Sequence, residues 1–155
     1  MILRLNGRNP FSNHGVVYQG SDNDRALNAG VERFAADPIA VAELAYDSDL
    51  SGLIVAPVIT VHGLHDPVAP VSHESAYRRT IEGAGRGDLL VQNFTEEAEH
   101  SRLSVPAYPT IFSALLNWIE KGQKPTQASI KAACPAFAEK YREPCLFVVP
   151  FSPGP

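Results

Sequence analysis

The chain has 155 residues, a net charge of −4 and 45% hydrophobic residues, a composition typical of one soluble, folded domain. Without a basic block, this charge argues against nucleic acid as the main partner, and no apolar run approaches the roughly 20 residues that cross a bilayer. Residues 1–10 lack the apolar segment of a signal peptide, so none is predicted and the compartment stays unassigned.

The first third of the sequence predicts a loop followed by two helices. Residues 1–21 contain scattered glycines and are predicted to be a loop-rich lead-in with a brief strand at 16–18. Asp22 is the predicted N-cap of a helix that ends near Ala36, because apolar residues recur there at helical spacing. A second short helix is predicted to start at Pro38, since proline favours the first helical position.

A short acidic stretch then resembles the start of a calcium loop. Asp47, Asp49 and Ser51 match oxygen ligands 1, 3 and 5 of an EF-hand, and Gly52 matches its turn glycine. The acid required at position 12 is missing, because Val58 stands there. A solvated turn is therefore the favoured interpretation, and a calcium site is the alternative.

The most informative stretch is an apolar strand that ends in an acidic turn. Residues Ile54–Val61 are nearly all apolar and β-branched, which predicts a parallel strand buried on both faces. Gly63 and Pro67 break this strand, and Asp66 lies in the break. Open α/β sheets place their chemistry at this position. The alternative is that Asp66 only caps the backbone of the turn.

A second strand and a histidine complete one β-α-β unit. Val71–Glu82 is predicted to be a helix and residues 88–94 a second strand, which leads to His100. The carboxyl ends of parallel strands share one edge of a sheet, so Asp66 and His100 are expected to meet there. The histidine would then act as general base, and the carboxylate would hold its tautomer.

The last part of the sequence predicts helices and then an irregular tail. The strongest helical pattern in the chain is predicted to end at Gly122, and a further short helix covers 126–133. Otherwise, residues 123–155 are interrupted by prolines and are predicted to be irregular. Cys134 and Cys145 lie in this tail and form either a disulfide or two free thiols.

These motifs together resemble the C-terminal half of α/β-hydrolase enzymes. The resemblance rests on PVITVHGLHDP at 57–67 and on Glu99-His100-Ser101 before a Trp-containing helix. It covers about 53–122, and the helices at 22–50 resemble the lid or cap insert of that family. It implies a single α/β domain over residues 1–155 with a partial α/β-hydrolase fold. By this resemblance, Asp66 would be the triad acid and His100 the triad base.

The chain departs from that family at the nucleophile, because it contains no Gly-x-Ser-x-Gly motif. Water activated by the acid–histidine pair is one replacement, and a recruited serine, Ser101 or Ser72, is another. A bound metal is a third route, for which His62 and His65 are candidate ligands beside Asp66 and His100. The sequence requires no cofactor.

The expected function is hydrolysis of a small-molecule carboxylic ester or lactone, with an acyl lactone such as a homoserine lactone included. The alternative is a catalytically dead hydrolase fragment that acts as a binding or self-associating module. Two parallel strands alone would leave backbone groups of the sheet unpaired, which proteins avoid. We therefore expect a homodimer or higher homo-oligomer that completes the sheet.

Overall fold

The computed structural model describes residues 5–154, and the side chain of Asp47 lies outside the described part. The chain divides into two compact units, Met1–Leu50 and Ser51–Pro155. The first unit contains the helices that the sequence relates to a cap insert. The second contains the acidic turn, His100 and the whole sheet.

Both helices of the first unit begin at side-chain caps. Helix α1 (Asp24–Gly30) follows Asn23, whose side chain accepts a backbone N–H of the first turn. Helix α2 (Pro38–Ser48) follows Asp37, whose carboxylate accepts two such bonds. The cap of α1 is therefore one residue later than Asp22, whereas the start of α2 at the proline is confirmed.

Two predictions for the first unit are wrong. The helix predicted to reach Ala36 ends at Gly30, because glycine disfavours helix and the next residue adopts an extended conformation. Residues 16–18 form no strand. The carbonyl oxygen of Val16 accepts a hydrogen bond from the guanidinium of Arg33 at 2.7 Å instead of entering a ladder.

The second unit contains an open mixed sheet, which confirms the α/β class. Its strands are β1 (Val58–Gly63), β2 (Leu90–Thr95) and β3 (Phe147–Val148), in the spatial order β1-β2-β3. Strands β1 and β2 are parallel, as predicted, whereas β2 and β3 are antiparallel. The predicted strand Ile54–Val61 begins too early, because Pro57 has no N–H to donate and the ladder starts after it.

The other helices of this unit are α3 (Ser72–Gly83), α4 (Ala107–Lys121), α5 (Gln127–Ala133) and α6 (Pro135–Tyr141), and a 3₁₀ turn covers Gly87–Leu89. Helices α3 and α5 lie within one residue of their predicted bounds. Gly122 ends α4, as predicted, in the left-handed conformation at φ 67°. No helix within residues 5–154 has the length and apolar character needed to cross a membrane.

The prediction of an irregular tail over residues 123–155 is wrong beyond α5. Pro135 occupies the first position of α6, where its fixed φ favours a helix. Strand β3 gains its conformation from pairing with β2, which two residues of sequence cannot signal. Cys134 and Cys145 form a disulfide in this structure, the first of the two alternatives that the sequence leaves open.

The sheet is covered on both faces. Ile59 and Val91 are partners in the register and pack on one face against the core that contains Trp118, from α4, and residues of α5. On the opposite face, Thr60 and Gln92 are also register partners, and both hydrogen-bond a carboxylate of α3. The carboxyl ends of β1 and β2 therefore lie at one edge, where the next loops meet.

Candidate active site

Residues 63–70 are called the acid turn here; this turn begins at the last residue of β1 and contains Asp66. Its Oδ1 accepts hydrogen bonds from the backbone N–H groups of Val68 at 2.8 Å and Ala69 at 2.9 Å. The bond from Ala69 contributes most to lowering the pKa of Asp66 to about 2; partial desolvation opposes it, and Val68 and His100 assist it. The carboxylate is only 9% exposed and stays ionised in neutral and mildly acidic solution.

The loop after β2, residues 96–105, is called the histidine loop and brings His100 to Asp66. His100 Nδ1 lies 2.9 Å from Asp66 Oδ2 and 3.1 Å from Oδ1. Because the ionised carboxylate has no proton, Nδ1–H is the donor, and Nε2 of the neutral ring keeps its lone pair. The ring is 47% exposed. A half-exposed imidazole oriented by a nearly buried carboxylate is the arrangement of a general base.

Glu97 joins the two ends of the histidine loop and also contacts the acid turn. Its Oε1 accepts the backbone N–H of Ser104 at 2.8 Å. Its carbonyl oxygen accepts the backbone N–H of His65 at 3.2 Å. A Cβ atom on Gly63 would lie 2.8 Å from the same carbonyl oxygen, so only glycine permits this approach.

The histidine loop is also held by a segment far along the chain. Glu143 Oε2 accepts the backbone N–H of Val105 at 2.9 Å, and the Leu146 carbonyl accepts that of Glu96 at 3.0 Å. These two residues flank Cys145, whose disulfide fixes the segment to the end of α5. The position of His100 therefore depends on residues more than forty positions away in sequence.

Asp66 and His100 line a cleft of about 340 Å³ at the carboxyl edge of the sheet. Val61, Leu103 and Tyr108 give it apolar and aromatic walls. A cleft of this size can admit a small molecule.

The two predicted serines differ in their relation to this cleft. Ser101 is exposed, lines the cleft beside His100 and has φ 59°, which is uncommon outside glycine. Ser72 is the first residue of α3 and does not line the cleft. Among the hydrogen bonds of residues 5–154, neither hydroxyl bonds to His100.

The histidines proposed as metal ligands have separate partners. His62 Nε2 lies 2.9 Å from the carbonyl oxygen of Ala69, and His65 Nε2 lies 3.1 Å from Glu96 Oε2. In the described part of the chain, no three His, Cys, Asp or Glu side chains lie together in a way that fits a metal ion.

The residues of the predicted calcium loop do not begin in a loop. Helix α2 continues to Ser48, so Asp47 is helical, and its side chain is outside the described part. Asp49 is the C-cap of α2. In the second unit, the Ser51 hydroxyl accepts the backbone N–H of Leu53 at 3.3 Å.

Glu97 and Glu143 are the residues of this site that sequence reasoning missed. Glu97 carries a weak signal, since it follows a predicted strand close to His100. Glu143 carries no such signal, because α4, α5 and α6 separate it in sequence from its partner Val105.

The arrangement is thus an acid–base pair in a small cleft, held from one side by a tight turn and from the other by distant segments. Comparisons with models of protein families, with curated proteins and with solved structures found no match.

Proposed function

We propose that this protein hydrolyses small carboxylic esters or lactones, acyl lactones such as homoserine lactones included, with Asp66 and His100 as its catalytic dyad. The observation that carries this proposal is the bond from His100 Nδ1 to the nearly buried carboxylate of Asp66, with the ring bordering an open cleft. This bond leaves Nε2 free to accept a proton in the cleft.

The proposed reaction takes two proton transfers, and the first of them activates water. His100 Nε2 takes a proton from water as the water oxygen attacks the carbonyl carbon of the substrate, and Asp66 stabilises the imidazolium that forms. The tetrahedral intermediate then collapses, and His100 returns the proton to the leaving oxygen. The products are a carboxylic acid and an alcohol, or one hydroxy acid from a lactone.

A serine route has one supporting observation, the position of Ser101 in the same cleft. In that route an acyl group is held on Ser101 before water releases it. Intact-protein mass spectrometry after rapid quenching distinguishes the two routes. A mass increase equal to the acyl group, absent in Ser101→Ala, would support the serine over direct attack by water.

The proposed substrates carry good leaving groups or ring strain. Removing a single oxyanion-hole donor costs an enzyme about 100-fold to 1,000-fold in rate. The chain has no Gly-x-Ser-x-Gly elbow, which supplies part of that hole in the family it resembles. Activated phenyl esters and strained lactones react even with weak oxyanion stabilisation, so they are the first substrates to test.

The deciding experiment measures turnover of p-nitrophenyl acetate and an acyl homoserine lactone by wild type, His100→Ala and Asp66→Asn. General base catalysis contributes about 100-fold to 10,000-fold, so kcat/KM should fall by at least about 100-fold in His100→Ala. His65→Ala is the matched control, since the His65 side chain lies in the acid turn and, within residues 5–154, bonds exposed Glu96 and neither member of the dyad. Unchanged turnover in both dyad variants excludes the dyad.

The same assay tests the proposed calcium loop. Added calcium should raise activity or stability in wild type and not in Asp49→Asn if Asp47, Asp49 and Ser51 bind the ion. If wild type and Asp49→Asn respond to calcium by the same amount, and to a chelator by the same amount, the proposal is contradicted.

The second candidate function is a self-associating module derived from the C-terminal part of an α/β-hydrolase. Its support is the order β1, Asp66, α3, β2, His100, α4, together with the edge of β1, which among residues 5–154 pairs only with β2. Val55, just before β1, is 88% exposed and Phe112 on α4 is 61% exposed. Light scattering after size exclusion should therefore give a homodimer or larger species, and a 16.8 kDa monomer at all concentrations contradicts it.

A further inference from the structure

A second histidine lines the same cleft as the dyad. His62, near the end of β1, is 14% exposed, and its Nε2 lies 2.9 Å from the Ala69 carbonyl oxygen. A carbonyl oxygen only accepts, so His62 Nε2 carries the proton and donates it. On the other side of the ring, Nδ1 lies 3.8 Å from Glu74 Oε1. The ring therefore spans from α3 to the acid turn.

Glu74 gives the His62 ring a fixed wall. Its carboxylate is 15% exposed, and its Oε2 accepts the hydroxyl of Thr60 at 2.7 Å and the side-chain amide of Gln92. The same amide also donates to the Glu74 carbonyl oxygen at 2.8 Å. Donors on both parallel strands thus hold this carboxylate in place. The carboxylate in turn restricts movement of the His62 ring away from the acid turn.

Ala69 is the link between His62 and the dyad. Its N–H donates to Asp66 Oδ1 at 2.9 Å, while its carbonyl accepts from His62. Pro70 follows and restricts the backbone of Ala69 to extended conformations. One residue, Ala69, therefore joins the His62 ring to the carboxylate that orients His100.

We propose that His62 is a positioning residue for the dyad: it sets the Asp66 carboxylate through Ala69, and Asp66 in turn sets the tautomer of His100. The effect on turnover rests on the proposed function, whereas the effect on the tautomer does not. A displaced carboxylate releases His100 Nδ1–H, and the ring then populates the tautomer with its proton on Nε2, which is not a base at the cleft.

The test compares substitutions that keep or remove the donor to Ala69. In His62→Gln the amide nitrogen reaches the position of Nε2, whereas in His62→Asn it stops short, and His62→Phe keeps the ring volume without a donor. His65→Asn is the control from the same turn. Long-range ¹H–¹⁵N spectra of the neutral histidines report the His100 tautomer directly in each folded variant.

The Asn and Phe variants should raise the share of the Nε2–H tautomer of His100, and His62→Gln and His65→Asn should match wild type. For the esterase reaction, kcat should fall by about 10-fold to 100-fold in the Asn and Phe variants, a larger change than that in KM. An unchanged tautomer in whichever of these two variants folds overturns the inference, as does an equal change in His62→Gln. A wild type without turnover refutes the proposed function, while the tautomer still decides the role of His62.

Discussion

The acid turn and the histidine loop contribute to the same hydrogen bond, but they are held in opposite ways. Asp66 is fixed by its own turn, through bonds to Val68 and Ala69, two and three residues away. The histidine loop is instead held by Glu143 and Leu146, which three helices separate from it in sequence. The bonds that orient the acid side chain are therefore local, whereas the bonds that hold the histidine loop include long-range ones.

This difference makes the two halves of the dyad sensitive to different perturbations. A change in the segment between the cysteines should alter the position of His100 and leave the hydrogen bonds of the acid turn unchanged. A change at the contact between Gly63 and Glu97 should affect both, because there the two loops touch. The predictions below use these contacts to separate the loops, in order of decreasing effect.

The largest effect is expected from removing the disulfide in Cys134→Ala/Cys145→Ala. A crosslink that closes a loop of 11 positions lowers the entropy of the unfolded chain, so its loss should cost about 3 kcal/mol in urea unfolding. Amide exchange should accelerate at Val105 more than at Val68. Wild type in reductant should match the double variant, and equal acceleration at both amides would refute the separation of the loops.

Gly63→Ala should break the contact between the two loops. The added methyl group meets the Glu97 carbonyl oxygen at 2.8 Å, and overpacking of this kind costs about 2 kcal/mol. Thermal and urea unfolding measure the loss. Gly83→Ala is the control, because a Cβ there meets no atom within 4 Å apart from its chain neighbours and the backbone of its own helix, so unfolding should be unchanged or slightly harder. Equal losses in both would contradict the contact.

Glu97→Ala should loosen only the histidine loop, at a cost of about 1 kcal/mol for the lost bond to the Ser104 N–H. The cost stays small because Oε2 is buried without a partner in residues 5–154, so removing it relieves a penalty. Glu96→Ala, an exposed neighbour, should change unfolding by less than about 0.5 kcal/mol. A larger effect for Glu96 than for Glu97 would show that the Glu97 side chain does not hold the histidine loop.

The smallest effect is a pH dependence located in the acid turn. Because folding lowers the pKa of Asp66 from 3.8 to about 2, its charge stabilises the fold above the ordinary value and loses that effect as pH falls towards 2. The difference in unfolding free energy between wild type and Asp66→Asn should therefore shrink from pH 5 to pH 2. A constant difference over this range would mean that the bonds to Asp66 do not favour its ionised form.

The same contrast explains what the sequence could predict. The contact between Asp66 and His100 follows from two strand ends in one β-α-β unit, and the helix start at Pro38 and the C-cap at Gly122 both have local signals. Strand β3 has none, because two residues take their conformation from β2. The bond from the Val105 N–H to Glu143 depends on the path of the chain through α4, α5 and α6, which no local pattern encodes.

The contacts of Glu143 and Leu146 with the histidine loop also set an order of assembly during synthesis. Strands β1 and β2 and the whole acid turn leave the ribosome before Glu143 and Leu146 are added to the chain. At that stage the backbone groups that bond Asp66 are all present in the chain, whereas the two residues that hold the histidine loop are still absent from it. The dyad is completed late, by the residues around Cys145, and oxidation of that cysteine secures it.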